Sequence, residues 1–115
     1  MGERIHYIFR DGTDTSVILY SHWGATHWET DLACALQHAR NRWDDIGYGT
    51  RMMISYLIQD QVMDEHGFGI YAVSQSVYEL SKLGVVIDFV EQSIVTDEML
   101  IKFDKFVALH APLPV

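Results

Sequence analysis

Cysteine, proline and positive charge are all scarce in this 115-residue chain. The single thiol, Cys34, closes no intrachain disulfide and supplies no cysteine-based zinc site. It falls inside a helical pattern, where an inert position is expected. The two prolines, Pro112 and Pro114, form a tail that cannot join a sheet interior. Lysine and arginine total 8 against 16 aspartates and glutamates, for a net charge of −8. Such a field repels long nucleic acid and anionic membranes. It leaves room for one small anion held by a few placed groups. No apolar run approaches the ~20 residues of a membrane span. The opening Met1-Gly2-Glu3-Arg4-Ile5-His6 has no apolar core of a signal peptide, and His6 stands where a myristoylation motif needs Ser or Thr. A soluble, intracellular protein without a membrane partner is expected.

A hydrophobic fraction of 49% and an aromatic fraction of 12% exclude disorder. The length suits one domain, residues 1–115. Two β-rich runs, 4–10 and 15–21, flank Asp11-Gly12, a strong hairpin signal. A loop crowded with large side chains follows, and Thr30 or Asp31 can cap a helix. Leu32, Leu36, Ala39, Trp43 and Ile46 share one helical face, and Gly47 and Gly49 end it. Thr50 starts a second helix, with Met53, Ile54, Leu57, Ile58 and Val62 on its apolar side and His66-Gly67 at its close. A strand over 68–74, a mixed stretch over 75–82, a strand over 84–90 and a returning strand over 93–96 come next. Asp97 caps a short last helix carrying Met99, Phe103, Phe106 and Val107. The order implies an α+β fold: a mostly antiparallel sheet with a two-helix insertion after the N-terminal hairpin and a short C-terminal helix. A small sheet with exposed edge strands can also pair into a homodimer.

Chemistry-bearing residues are unevenly spread. All three tryptophans, three of the six histidines and three of the five arginines lie between His22 and Arg51. Arginine offers a fixed fork of donors for phosphate or carboxylate. Tryptophan and tyrosine offer faces for stacking, and histidine gains charge near neutral pH. The candidate ligand-binding residues are His22, Trp23, Arg42, Trp43, Asp45 and Arg51. The cations would meet phosphate, the rings would stack on a base, and the acid would hold ribose hydroxyls. The competing reading makes Trp43 core, Arg42 solvated, and the loop tryptophans a cover over the sheet edge. His38, Arg42 and Asp45 would share one helix face, either as a solvated surface or as a recognition surface. Asp44-Asp45 at a helix C-terminus would oppose the macrodipole, offset by an ion pair with Arg42 or Arg51, or by a ligand's hydroxyls.

Other chemistries fare worse. His22 and His27 are five apart, with Glu29 and Asp31 behind them, but spacing fixes no third ligand, so no metal is expected. No Gly-x-Ser-x-Gly element and no paired His-x-Thr or His-x-Ser motif occurs. Gly67-Phe68-Gly69 is too short for a phosphate loop and precedes a strand. Its glycines mark a bend or a close backbone approach. No catalytic residue and no cofactor are assigned.

The elements Leu19-Tyr20-Ser21-His22-Trp23-Gly24, then Arg42-Trp43-Asp44-Asp45 with Tyr48 and Arg51, then Gly67-Phe68-Gly69-Ile70, resemble a set of small uncharacterised proteins encoded by tailed phages and prophages. The likeness covers roughly residues 5–95, and Ala25 stands where that pattern often has a second glycine. The resemblance implies a viral protein acting in the host cytoplasm, with a counter-defence role as the corresponding expectation. The first functional reading is a non-catalytic protein that sequesters a small nucleotide-derived signal. The second is an interaction module that inhibits a host protein through an acidic surface. The third is a small hydrolase with His22 or His38 as general base.

Overall fold

The computed structural model describes residues 4–11, 15–74 and 77–112. Its strands are β1 (Ile5–Arg10), β2 (Thr15–Ser21), β3 (Phe68–Ser74), β4 (Val85–Asp88), β5 (Ser93–Val95) and β6 (Leu100–Lys102). Its helices are α1 (Trp28–His38), α2 (Ile46–Ile58), α3 (Val77–Leu83) and α4 (Phe103–His110), with a 3-10 turn at Arg40–Arg42. The strands form one sheet in the order β3-β2-β1-β4-β5-β6. The expected α+β class holds. Every pairing is antiparallel except the central one, where β1 runs parallel to β4 with Tyr7 opposite Val85.

Alternation along the strands assigns the two faces. Tyr7, Phe9, Leu19, Ile87 and Ile94 pack with Leu32 and Leu36 of α1, Met53 of α2, and Phe103, Phe106 and Val107 of α4. The intervening residues Ile8, Ile18 and Val86 meet Leu80 of α3 on the opposite face. Strand β1 is therefore buried on both sides, which is why its sequence runs apolar almost without alternation. The Tyr7 hydroxyl lies near Asp31 and Glu29, and burial above all, then these two carboxylates, pushes its pKa up. The turn between β1 and β2 expected at Asp11-Gly12 falls partly on 12–14, outside the described residues.

Several expected boundaries are corrected. Helix α1 begins at Trp28, so Thr30 and Asp31 lie inside it and His27 precedes it. It stops at His38, well before Gly47. Trp43 and Ile46 consequently do not continue the Leu32–Leu36–Ala39 face on one helix. The chain turns through Arg40–Arg42 and restarts at Asp45, whose extended backbone (φ −134°, ψ 97°) and side chain cap α2. Gly47 and Gly49 lie within the start of α2 and do not end a helix. Gly49 is demanded by packing: a Cβ there would sit 2.7 Å from the Arg42 carbonyl oxygen and 2.8 Å from the Phe89 ring. Helix α2 ends at Ile58, and Val62, expected on its apolar side, is exposed in the following turn.

The region expected to start the last helix instead makes a turn and a strand. Thr96 Oγ1 accepts the backbone N–H groups of Glu98 and Met99, and the Thr96 N–H donates to the Met99 carbonyl. That local bonding competes with helix formation. It delays the helix to Phe103 and frees Leu100–Lys102 to form β6. The mixed stretch 75–82 overlaps α3, and the expected 84–90 strand is confined to Val85–Asp88. Among the described residues, no helix is long and apolar enough to cross a membrane.

Candidate functional site

Strand β2 carries its pairing with β3 one step past its end. Ser21 lies opposite Phe68, and the His22 N–H donates to the Gly67 carbonyl at 2.9 Å. Both chains then bend sharply. Gly24 lies so close to Ser21 that a side chain there would collide with the serine hydroxyl, and Gly67 has φ +102°, a backbone region that disfavours side chains. The two bends bring His22 and Trp23 from one segment beside Glu65 and His66 from the other.

Together with Tyr20, Phe68 and Gly69 they line a cleft of about 580 Å³. The Tyr20 hydroxyl is 2.9 Å from His22 Nδ1. With the hydroxyl donating, the neutral imidazole carries its proton on Nε2. Trp23 packs edge-on against that ring, with centroids 4.2 Å apart and planes at 88°, yet remains 64% exposed. His6 on β1 lies 5.2 Å from Tyr20 between ring centroids and 6.5 Å from Tyr71 of β3. Burial lowers the pKa of His6, so the aromatic row behind the cleft favours its neutral form.

No protein-family model, curated protein or solved structure matches this chain. The geometry of the cleft is what bears on its chemistry.

That geometry divides the six candidate residues. His22 and Trp23 share the cleft. Arg42, Asp45 and Arg51 do not line it. Asp45 Oδ1 accepts the Tyr48 N–H at 3.1 Å as the N-terminal cap of α2, and its Oδ2 lies 3.8 Å from Arg42 Nη1. The expected ion pair with Arg42 is present, but the expected conflict with a helix dipole is not. Asp45 sits at a helix N-terminus, where a carboxylate is favoured. Arg42 also covers the Tyr48 ring at 4.8 Å, and Arg51 donates to Ser55 Oγ at 3.4 Å.

Trp43 belongs to a different environment. Its Nε1–H donates to the Leu36 carbonyl at 2.9 Å, its ring meets Phe103 edge-on at 5.2 Å, and the Arg40 guanidinium lies over it at 4.5 Å. Packing and the end of α1 account for this residue. It contributes to a second cleft of about 620 Å³ with Arg40, Gln92 and Lys102. Trp28 likewise stacks on Phe106. The expected common face of His38, Arg42 and Asp45 is lost because they belong to α1, the 3-10 turn and the cap of α2. His38 packs against Tyr56 and lines neither cleft. Cys34 is a half-buried free thiol on α1, and the pKa of the Tyr56 hydroxyl is raised chiefly by burial and then by its interaction with Cys34.

Glu65, His66 and Phe68 also line the cleft and are not among the six residues that the sequence points to. Their signal was the pairing of the end of β2 with Gly67-Phe68-Gly69, a contact between segments separated by two helices. Among the described residues, no cluster of three or more histidine, cysteine, aspartate or glutamate side chains could hold a metal ion.

Proposed function

We propose that this protein is a non-catalytic binding protein that sequesters a small planar, nucleotide-derived ligand in the Tyr20–His22–Trp23–His66 cleft. The observation that carries this reading is His22. One ring nitrogen is engaged by the Tyr20 hydroxyl, and its neighbour Trp23 presents a largely exposed indole at the same opening. An indole face stacks on a heteroaromatic ring, a contribution of about 1–3 kcal/mol. His22 and His66 supply donors for an anionic or carbonyl group, and the Glu65 carboxylate accepts from an amino or hydroxyl group.

This assignment reduces the role of arginine. Arg42 and Arg51 have intramolecular partners and do not line the cleft, so the ligand's recognition falls on rings and imidazoles. We take the ligand to be a host-cell signal, captured in the cytoplasm as counter-defence, the role that fits a resemblance to phage proteins. Isothermal titration against cyclic nucleotides, ADP-ribose and free nucleosides tests the reading. Binding by one member, weakened at least tenfold by Trp23→Ala, and recovery of that member intact by chromatography are expected. No heat with any of them ends the proposal, and turnover replaces it with a hydrolase that uses His22 as base.

A further inference from the structure

Strand β3 is an edge of the sheet, and it lacks the usual protections of an edge. Its seven residues, Phe68-Gly69-Ile70-Tyr71-Ala72-Val73-Ser74, include no charge and no proline. Ile70 is 59% exposed and Tyr71 42%. The opposite edge, β6, has three residues, ends on Lys102 and runs directly into α4. Natural sheets commonly blunt an edge by shortness, charge or cover. One edge of this sheet is treated that way and the other is not.

The phase of hydrogen bonding along β3 is fixed by its inner partner. His22 and Gly67 form a hydrogen-bonded pair, so the pairs Tyr20–Gly69, Ile18–Tyr71 and Ser16–Val73 are of the same kind. The N–H and C=O groups of Gly69, Tyr71 and Val73 are consequently turned toward β2. Those of Phe68, Ile70, Ala72 and Ser74 face outward and can accept a further strand.

The sequence of the strand is complementary to itself. When two copies run antiparallel about a two-fold axis through Tyr71, Ile70 lies opposite Ala72, Gly69 opposite Val73 and Phe68 opposite Ser74. Each larger side chain meets a smaller one, on both sheet faces. The outward backbone groups of Ile70 and Ala72 then bond each other across the axis. Tyr71 meets its own copy in a non-hydrogen-bonded pair, where side chains approach most closely. The chain carries −8, so two copies repel unless they meet through an uncharged element, and β3 is one.

We infer that β3 pairs with the β3 of a second copy of this chain, centred on Tyr71, to give a two-fold dimer with a continuous sheet. The pairing places the partner's Val73 opposite Gly69, whose missing side chain leaves open space with no atom within 4 Å of a built Cβ. Gly69 lines the cleft described above, so the second copy adds to its wall. The role of the partner's Val73 rests on the ligand reading; the dimer itself does not.

Sedimentation and crosslinking of the full chain test the dimer without any ligand, so their failure is distinct from a failed titration. The expected species has about twice the 13.2 kDa of one chain. Ala72→Lys is expected to weaken self-association at least tenfold while leaving far-UV circular dichroism unchanged. In a Cys34→Ser background, Tyr71→Cys is expected to form an intermolecular disulfide on mild oxidation. Two α-carbons in a non-hydrogen-bonded pair are about 4.5 Å apart, within disulfide reach. Ile70→Cys is expected not to, because its diagonal separation from its own copy is about 7 Å or more. A monomer at every concentration, a dimer indifferent to Ala72→Lys, or crosslinking at residue 70 in preference to 71 would each overturn the inference.

Discussion

The Tyr20 hydroxyl and His22 Nδ1 stand 2.9 Å apart, two residues along the same strand end, and this contact sets which imidazole nitrogen is left to face other partners. Tyr20→Phe removes the donor without removing the ring. The mutant's His22 is expected to lose its tautomer preference, read from its ring nitrogen shifts in NMR spectra. Ligand affinity is expected to fall about fivefold, corresponding to a net hydrogen bond of about 1 kcal/mol. An unchanged tautomer ratio would show that Tyr20 does not orient the His22 proton.

Asp45 offers a test of helix capping. Asp45→Ala deletes the acceptor for the Tyr48 N–H and is expected to cost about 1 kcal/mol in urea unfolding. Asp45→Asn keeps the acceptor and is expected to recover most of that stability. If both variants lose equally, the Arg42 contact rather than the cap is what matters.

Gly49→Ala sets two effects against each other. Helix propensity favours alanine by about 1 kcal/mol. The added methyl, however, meets the Arg42 carbonyl and the Phe89 ring at distances that require backbone movement. Overpacking of this kind costs about 1–3 kcal/mol. A net loss of stability is expected from denaturant midpoints, whereas the same substitution at Gly47, with only Asp45 Oδ1 at 3.7 Å, is expected to be tolerated or stabilising.

His6 gives the fold a pH dependence. Its pKa in the folded chain is lowered from 6.5 by burial beside Tyr20 and Tyr71. Between the folded value and 6.5 the unfolded chain binds more protons, so stability rises with pH through that window. Its contribution is fully present above 6.5 and is lost as pH falls toward the folded value. Urea unfolding at a series of pH values is expected to show this decline, and His6→Gln to flatten it.

The strands were legible in the sequence where burial and local pairing coincide. Ile5–Arg10 and Thr15–Ser21 form adjacent antiparallel strands in the interior of the sheet, and both runs are β-rich in the sequence itself. The helical insertion is legible as two helices, but the position of its joint is not. Gly47 and Gly49 resemble helix stops in sequence, but the Asp45 cap makes the break and Gly49 serves a close contact. With the break there, Asp45 stands at the start of α2, and Arg42 does not share a helix face with His38. Of the candidate site, the His22-Trp23 pair was legible because those residues are adjacent in the chain. Glu65, His66 and Phe68 were not, since they reach the cleft through the pairing of β2 with β3.

The parallel pairing of β1 with β4 has a consequence for how the protein is made. Residue 7 can find its partner at 85 only after α1, α2, β3 and α3 have left the ribosome. Until then the first hairpin carries an unfilled side where the middle of the sheet belongs. Closing that gap requires a large loop to form first, which slows folding relative to a chain with only neighbouring contacts. Translation arrested before residue 85 therefore leaves a nascent chain without the strand that completes the middle of its sheet.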